Sequence, residues 1–191
     1  MASLFEGIRH SGGFALADYT LAEMVQDIAS VPLAFHPGER WHYGYSTDVL
    51  GRVVEAASGM TLAEFFDARI FQPLEMEDTA FYLPSSAAPR LAAVYSPIPG
   101  GTGLVRHVDT DGPPNTYPIA GPQKLYCGGG GLSSTILDYA PFCQMILNGG
   151  ELDGVRLLSP TTVRMMGRDN LGEDVEFDGG NRFGLGFMVH T

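Results

Sequence analysis

Lysine is almost missing from this chain of 191 residues, which contains one, Lys124. The residue three positions ahead of it is Gly121, so a Ser-x-x-Lys pair on one helical turn is excluded. Positive charge is scarce altogether: 11 Lys and Arg stand against 22 Asp and Glu, a formal net charge of −11. Nucleic acid and anionic membrane surfaces need clustered Lys and Arg, so both are excluded as partners. The five His are scattered and no HExxH occurs, which argues against a zinc site. No cofactor or metal is implied. Cys127 and Cys143 lack metal spacing, and two buried thiols are expected rather than a disulfide. No apolar run is long enough to span a membrane. The opening MASLFEGIRHSGGF lacks the apolar stretch of a secretion signal, so a soluble, cytoplasmic protein is expected. No Ser has Gly at both −2 and +2, since Ser46 in GYSTD fails at Asp48, and that removes the nucleophile elbow of an α/β-hydrolase. The run Gly128–Gly131 is followed by no Gly-Lys-Ser/Thr and is not a phosphate loop.

What remains is apolar enough to fold: hydrophobic residues make up 45% and charged residues 17%. Leu21, Met24, Val25 and Ile28 fall at helical spacing behind a Thr20/Glu23 capping box. Pro32 stops that helix, and FHPGERW turns at Pro37-Gly38. A second helix, STDVLGRVVEAASG, carries Val49, Leu50, Val53, Val54 and Ala57 on one stripe, with Ser46 or Thr47 as cap and Gly59 at its end. Thr61 with Glu64 caps a third, whose Leu62, Phe65 and Phe66 face inward and which Pro73 ends. Residues 84–124 are rich in Pro, Gly, Ser and Asp and read as an irregular excursion with one hairpin. A further helix follows the glycine run, and Pro141 kinks or splits it. ELDGVRLL predicts a hairpin at Asp153-Gly154, SPTTVRMM a short helix capped by Ser159, and RFGLGFMV a strand with no later partner.

The stretch WHYGYSTDVLGRVVEAASGMTLAEFFDARIFQPLEMEDTAFYLP resembles the serine β-lactamase/penicillin-binding-protein-like superfamily, most closely the esterases related to class C β-lactamases. LAFHPGERW, PLEMEDTAF, the segment GGGGLSSTILDYAPFCQMILNGGELDGVRLLSPTTVRMM and FGLGFMV fit the same family in order, from about Asp18 to Val189. The resemblance implies an α+β, β-lactamase/transpeptidase-like fold. This chain would supply one partial domain over 1–191, a mostly helical subdomain plus part of the sheet. Residues 18–83 would carry the tyrosine motif, 84–124 the loop region, and 125–191 the later helices and the return strand.

The same resemblance implies a carboxylesterase-type serine hydrolase working through an acyl-enzyme on a small ester or amide. Three motifs serve that chemistry: Ser-x-x-Lys, Tyr-x-Asn, and a Lys-Thr-Gly, His-x-Gly or Trp-Gly-Gly strand. Tyr43 matches the motif tyrosine, with Tyr45 where asparagine usually stands; an alternative register makes Tyr45 the motif tyrosine. Tyr45, Tyr126, Gly129 and Gly130 are candidate substrate-lining residues, while Trp41 and His42 read as packing and surface residues. The first and third motifs are expected outside Met1–Thr191, which makes the chain a central fragment, inactive alone; the other reading is a non-catalytic remnant or binding module. A phenol ordinarily titrates near 10, and bringing it to 7 takes about 4 kcal/mol of preferential stabilisation of the phenolate. Relatives obtain it chiefly from the motif lysine; here Arg40, Arg52 and Lys124 are the candidates. An uncovered strand is expected to favour a homodimer.

Overall fold

The computed structural model describes residues 17–98, 100–106, 118–175, 177 and 180–190. They fall into two compact units, one drawn from residues 1–31, 45–65 and 79–134, the other from 32–44, 66–78 and 135–191.

In the first unit α1 (Leu21–Ala29) begins where the sequence places it. Thr20 Oγ1 accepts the Glu23 N–H at 3.3 Å, and Glu23 Oε2 accepts the Thr20 N–H at 2.8 Å. These reciprocal bonds satisfy two of the amides that a helix start leaves without partners. α2 (Ser46–Ser58) ends on Gly59 at φ 72°, a left-handed position that glycine takes without steric cost. Neither Ser46 nor Thr47 caps it; the cap position is Tyr45, which makes no side-chain capping bond.

The inward face of α2 is also not the expected one. Leu50 and Val53 are 59% and 56% exposed and Val49 is exposed as well, while Asp48 and Gly51 are buried. The helix turns its polar side inward because its neighbours there offer backbone amides: Asp48 accepts the Gly129 N–H and Glu55 the Leu62 N–H. Gly51 lets them come close, since a Cβ at that position would lie 3.0–3.2 Å from Leu62, Gly128 and Leu21. Around this contact are buried Leu21, Met24, Leu62, Phe81, Leu125 and Cys127. Full burial of such apolar side chains is worth about 1.5–3 kcal/mol each. The irregular region contains the expected hairpin, in which β1 (Tyr95–Pro97) pairs antiparallel with β2 (Leu104–Arg106). A 3₁₀ turn over Ser85–Arg90 precedes it.

α3 (Leu62–Phe66) carries the Thr61/Glu64 capping box. It then widens into a π-helical turn, Asp67–Phe71, in which the Gln72 N–H bonds to the Asp67 carbonyl at 2.9 Å. The hydrogen bond there reaches back five residues instead of four, so the turn holds one residue more than an α-helical one. Phe66 and Phe71 therefore lie edge to face with ring centroids 6.0 Å apart.

The second unit is built on α4 (Ile136–Leu147). Phe71, Leu74, Met76 and Met145 form its core, with Phe66, Ile70, Phe142, Ile146, Leu152 and Leu157 packed against it. Thr135 caps α4, and the buried Asp138 accepts the Asp78 N–H at 2.8 Å. Of the kink or split expected at Pro141, the split does not occur, since the helix runs unbroken through it. Cys143 on this helix is exposed, so only one of the two thiols is buried as expected. β3 (Glu151–Leu152) and β4 (Val155–Arg156) form the hairpin at Asp153-Gly154, both residues at positive φ as a tight primed turn demands. α5 (Pro160–Met166) starts with Ser159 as cap and Pro160 in its first turn. RFGLGFMV is not one strand: β5 (Arg182–Phe183) folds back and pairs antiparallel with β6 (Met188–Val189), so each has a partner within the chain. Arg182 anchors this end, bonding Asp169 and the carbonyls of Leu171, Gly172 and Val175.

Candidate functional site

The turn at Pro37-Gly38 closes with a Glu39 N–H to His36 carbonyl bond of 3.1 Å, Gly38 lying at φ 92°. From it the chain runs through Trp41 into the tyrosine pair. Trp41 packs on Phe177 and Phe183 at centroid distances of 4.6 and 5.8 Å, the structural role read for it in the sequence. The Tyr43 ring lies tilted against Trp41 with centroids 6.5 Å apart and is 82% exposed. The boundary between the two units falls between Gly44 and Tyr45. Tyr45 stands at the head of α2, its carbonyl accepting the Val49 N–H at 3.0 Å.

The three candidate cations are engaged elsewhere. Lys124 Nζ bonds Asp18 Oδ1 at 2.5 Å, and that bond and the nearby charge hold the ammonium above the usual lysine range. Arg52 pairs with Glu55 at 3.3 Å, and Arg40 lies 4.9 Å over the Phe35 ring.

The remaining candidates belong to the first unit. Tyr126 packs edge to face between Phe81 and Tyr82 at 5.4 and 5.7 Å. The Tyr82 hydroxyl donates to the Leu125 carbonyl at 2.8 Å, fixing the approach to the glycine run. Gly129 lies against the first turn of α2, where its N–H donates to Asp48 Oδ1 at 3.0 Å. That amide is therefore engaged within the protein. Gly130 continues the turn, and Gly131 takes φ 97° beside the Phe81 ring.

Two residues that the sequence reading passed over complete this corner. Asp48, placed there as an ordinary first-turn carboxylate, is 4% exposed. Cys127 is buried beside it, and burial, followed by its hydrogen bond to Asp48, pushes the thiol far above its usual range. Such a thiol keeps its proton and is not a nucleophile. The signal for Asp48 is its i, i+3, i+7 spacing with Gly51 and Glu55, a small and polar stripe that reads as solvent-facing by hydropathy alone. No group of His, Cys, Asp or Glu among the described residues could hold a metal ion, and no helix among them is long and apolar enough to cross a membrane.

Comparison with known proteins adds the following. The Beta-lactamase family profile matches residues 7–191. The chain is 44% identical to Esterase EstB of Burkholderia gladioli over 92 residues, covering 48% of this chain and 23% of that protein. It is 34% identical to the Lovastatin esterase of Penicillium rubens over 153 residues, covering 79% of this chain and 36% of that one. Among solved structures, EstCE1, a hydrolase with promiscuous acyltransferase activity, superposes with a TM-score of 0.74 at 25% identity over 91% of this chain and 47% of its own. The chain thus spans less than half the length of each of these relatives. Its fold is β-lactamase/transpeptidase-like.

Proposed function

Because this chain belongs to the beta-lactamase family, whose members here include esterases, we propose that it is the tyrosine-bearing part of a serine carboxylesterase. The observation that carries the reading is Tyr43, a motif tyrosine presented 82% exposed ahead of α2. In the working enzyme a serine outside these 191 residues attacks the ester carbonyl. Its Oγ bonds to the acyl carbon as the hydroxyl proton passes to Tyr43, which hands it to the departing alcohol. Water then attacks the acyl-enzyme and restores the serine. The cation that makes a phenolate accessible also comes from outside, since Arg40, Arg52 and Lys124 are committed to Phe35, Glu55 and Asp18. Tyr45, Tyr126 and the glycine turn, all of the first unit, remain the candidate contacts for a small ester. Backbone amides other than that of Gly129 hold the oxyanion.

The test compares the 191-residue chain with the product of the longest open reading frame that contains it, on p-nitrophenyl butyrate and nitrocefin. The short chain shows no hydrolysis above background. The longer protein cleaves the ester and loses the activity on Tyr43→Phe with its circular dichroism unchanged. Turnover by the short chain that Tyr43→Phe abolishes overturns the need for an outside nucleophile. Full activity of the long Tyr43→Phe protein overturns the role of Tyr43. The single lysine also favours a non-catalytic remnant, and failure of a fluorophosphonate probe to label any serine of the longer protein would decide for it.

A further inference from the structure

Asp48 and Gly129 are 81 residues apart in sequence, yet two constraints of different kinds hold them together. The carboxylate accepts the Gly129 N–H at 3.0 Å. Gly128 leaves no room for a side chain, since a Cβ there would lie 2.1 Å from the Thr47 carbonyl oxygen, and one on Gly129 would sit tightly, 3.0 Å from Asp48 Oδ2 and Thr47 Oγ1.

A carboxylate is a poor choice for mere adhesion. Burying one without a cation costs stability that an apolar side chain of similar size would not forfeit. What it supplies is direction, because a charge-assisted bond fixes the plane of the Gly128–Gly129 peptide, and an apolar contact does not. The anion sits in the first turn of α2, where the helix dipole favours it. Gly129 itself is at the surface, so a buried group is orienting an exposed turn.

We propose that Asp48 is a positioning residue, a buried latch that holds the turn Cys127–Gly129 on the first turn of α2 so that Tyr45 and the glycine turn move as one piece. The assignment of those two segments to a substrate cleft rests on the esterase reading; the latch does not.

The test uses the 191-residue chain in a Cys143→Ser background, where Cys127 is the only thiol and reports opening of the turn to 5,5′-dithiobis(2-nitrobenzoate). Asp48→Ala speeds labelling by at least about tenfold, and the rate is nearly independent of low urea, as local opening requires. Asp48→Asn, which keeps an oxygen for the Gly129 N–H, restores the rate to within about threefold of the parent, and its Gly129 amide proton moves upfield on loss of the charged acceptor. Parent-like labelling of Asp48→Ala overturns the latch. So does acceleration that climbs with urea as steeply as global unfolding and is not rescued by Asn. Should Asp48→Ala fail to fold, an unmoved Gly129 amide in folded Asp48→Asn overturns it. No ester enters these measurements. A longer protein that hydrolyses ester indifferently to Asp48→Ala overturns the positioning role alone, whereas a positive latch with no ester hydrolysis overturns only the esterase reading.

Discussion

Alanine at Gly128 measures how tightly the glycine turn is seated, free of backbone strain, because Gly128 is not among the positive-φ glycines. The added Cβ would stand 2.1 Å from the Thr47 oxygen and 2.8 Å from its carbonyl carbon. Both are backbone atoms of Thr47, inside α2, so no rotamer change relieves the contact. Restoring even a 3.0 Å approach moves the turn by about 0.9 Å. That carries the Gly129 N–H from 3.0 Å to nearly 4 Å from Asp48, beyond hydrogen-bonding range. Losing a bond to a charged acceptor costs about 1.5–3 kcal/mol, and leaving the carboxylate short of a donor adds to it. The expected loss is about 2–4 kcal/mol, or roughly 5–12 °C in melting temperature for a chain of this size. Gly44→Ala is the control, since its Cβ meets nothing within 4 Å, and its cost stays within about 0.5 kcal/mol. The measurement is thermal denaturation followed by circular dichroism. A Gly128→Ala midpoint within about 1 °C of the parent refutes the reasoning, because a seated turn has no cheaper way to admit the methyl group.

Arg182 serves four acceptors with one fork, so Arg182→Lys cannot replace it. A loss of about 2 kcal/mol is expected in urea melts, with faster proteolysis in 169–175, and unchanged cleavage there would count against this anchor. Stability should also fall on the alkaline side. The folded thiol of Cys127, raised by burial and then by Asp48, keeps a proton that the unfolded chain releases above about 8.5. Its contribution is therefore complete below that pH and fades above it, and the Tyr19 phenol, also raised by burial, adds a second decline above about 10. Melting temperatures from pH 7 to 10.5 should show Cys127→Ala losing the first decline, and parallel curves for parent and variant exclude the assignment.

Helix ends and turns were legible because their chemistry is local. Thr20 with Glu23, Thr61 with Glu64, Ser159 with Pro160, Gly59 and Asp153-Gly154 each sit where their side chains or φ angles dictate. The family resemblance was equally legible, carried by an ordered set of segments. The inward face of α2 was not, because hydropathy puts Val49, Leu50 and Val53 inside, whereas the partners that decide it are the amides of Leu62 and Gly129, distant in sequence. RFGLGFMV reads as one strand until Gly184 and Gly186 reverse it. At the candidate site, Tyr43 is exposed. The engagement of Lys124 with Asp18, 106 residues away, is a tertiary fact that no local pattern encodes.

The widened turn at Asp67–Phe71 has a consequence for how this chain can change length. In a regular α-helix residues five apart point some 140° away from each other, yet here Phe66 and Phe71 share a side. Deleting one residue between them would close an ordinary α-helix with the two rings four positions apart, about 40° around the axis, so Phe71 would keep its side and its place in the cluster with Leu74, Met76 and Met145. Loss of a single residue is therefore tolerable at this point for the backbone and for the aromatic pair alike, whereas a loss inside a regular helix would turn every later side chain by about 100°.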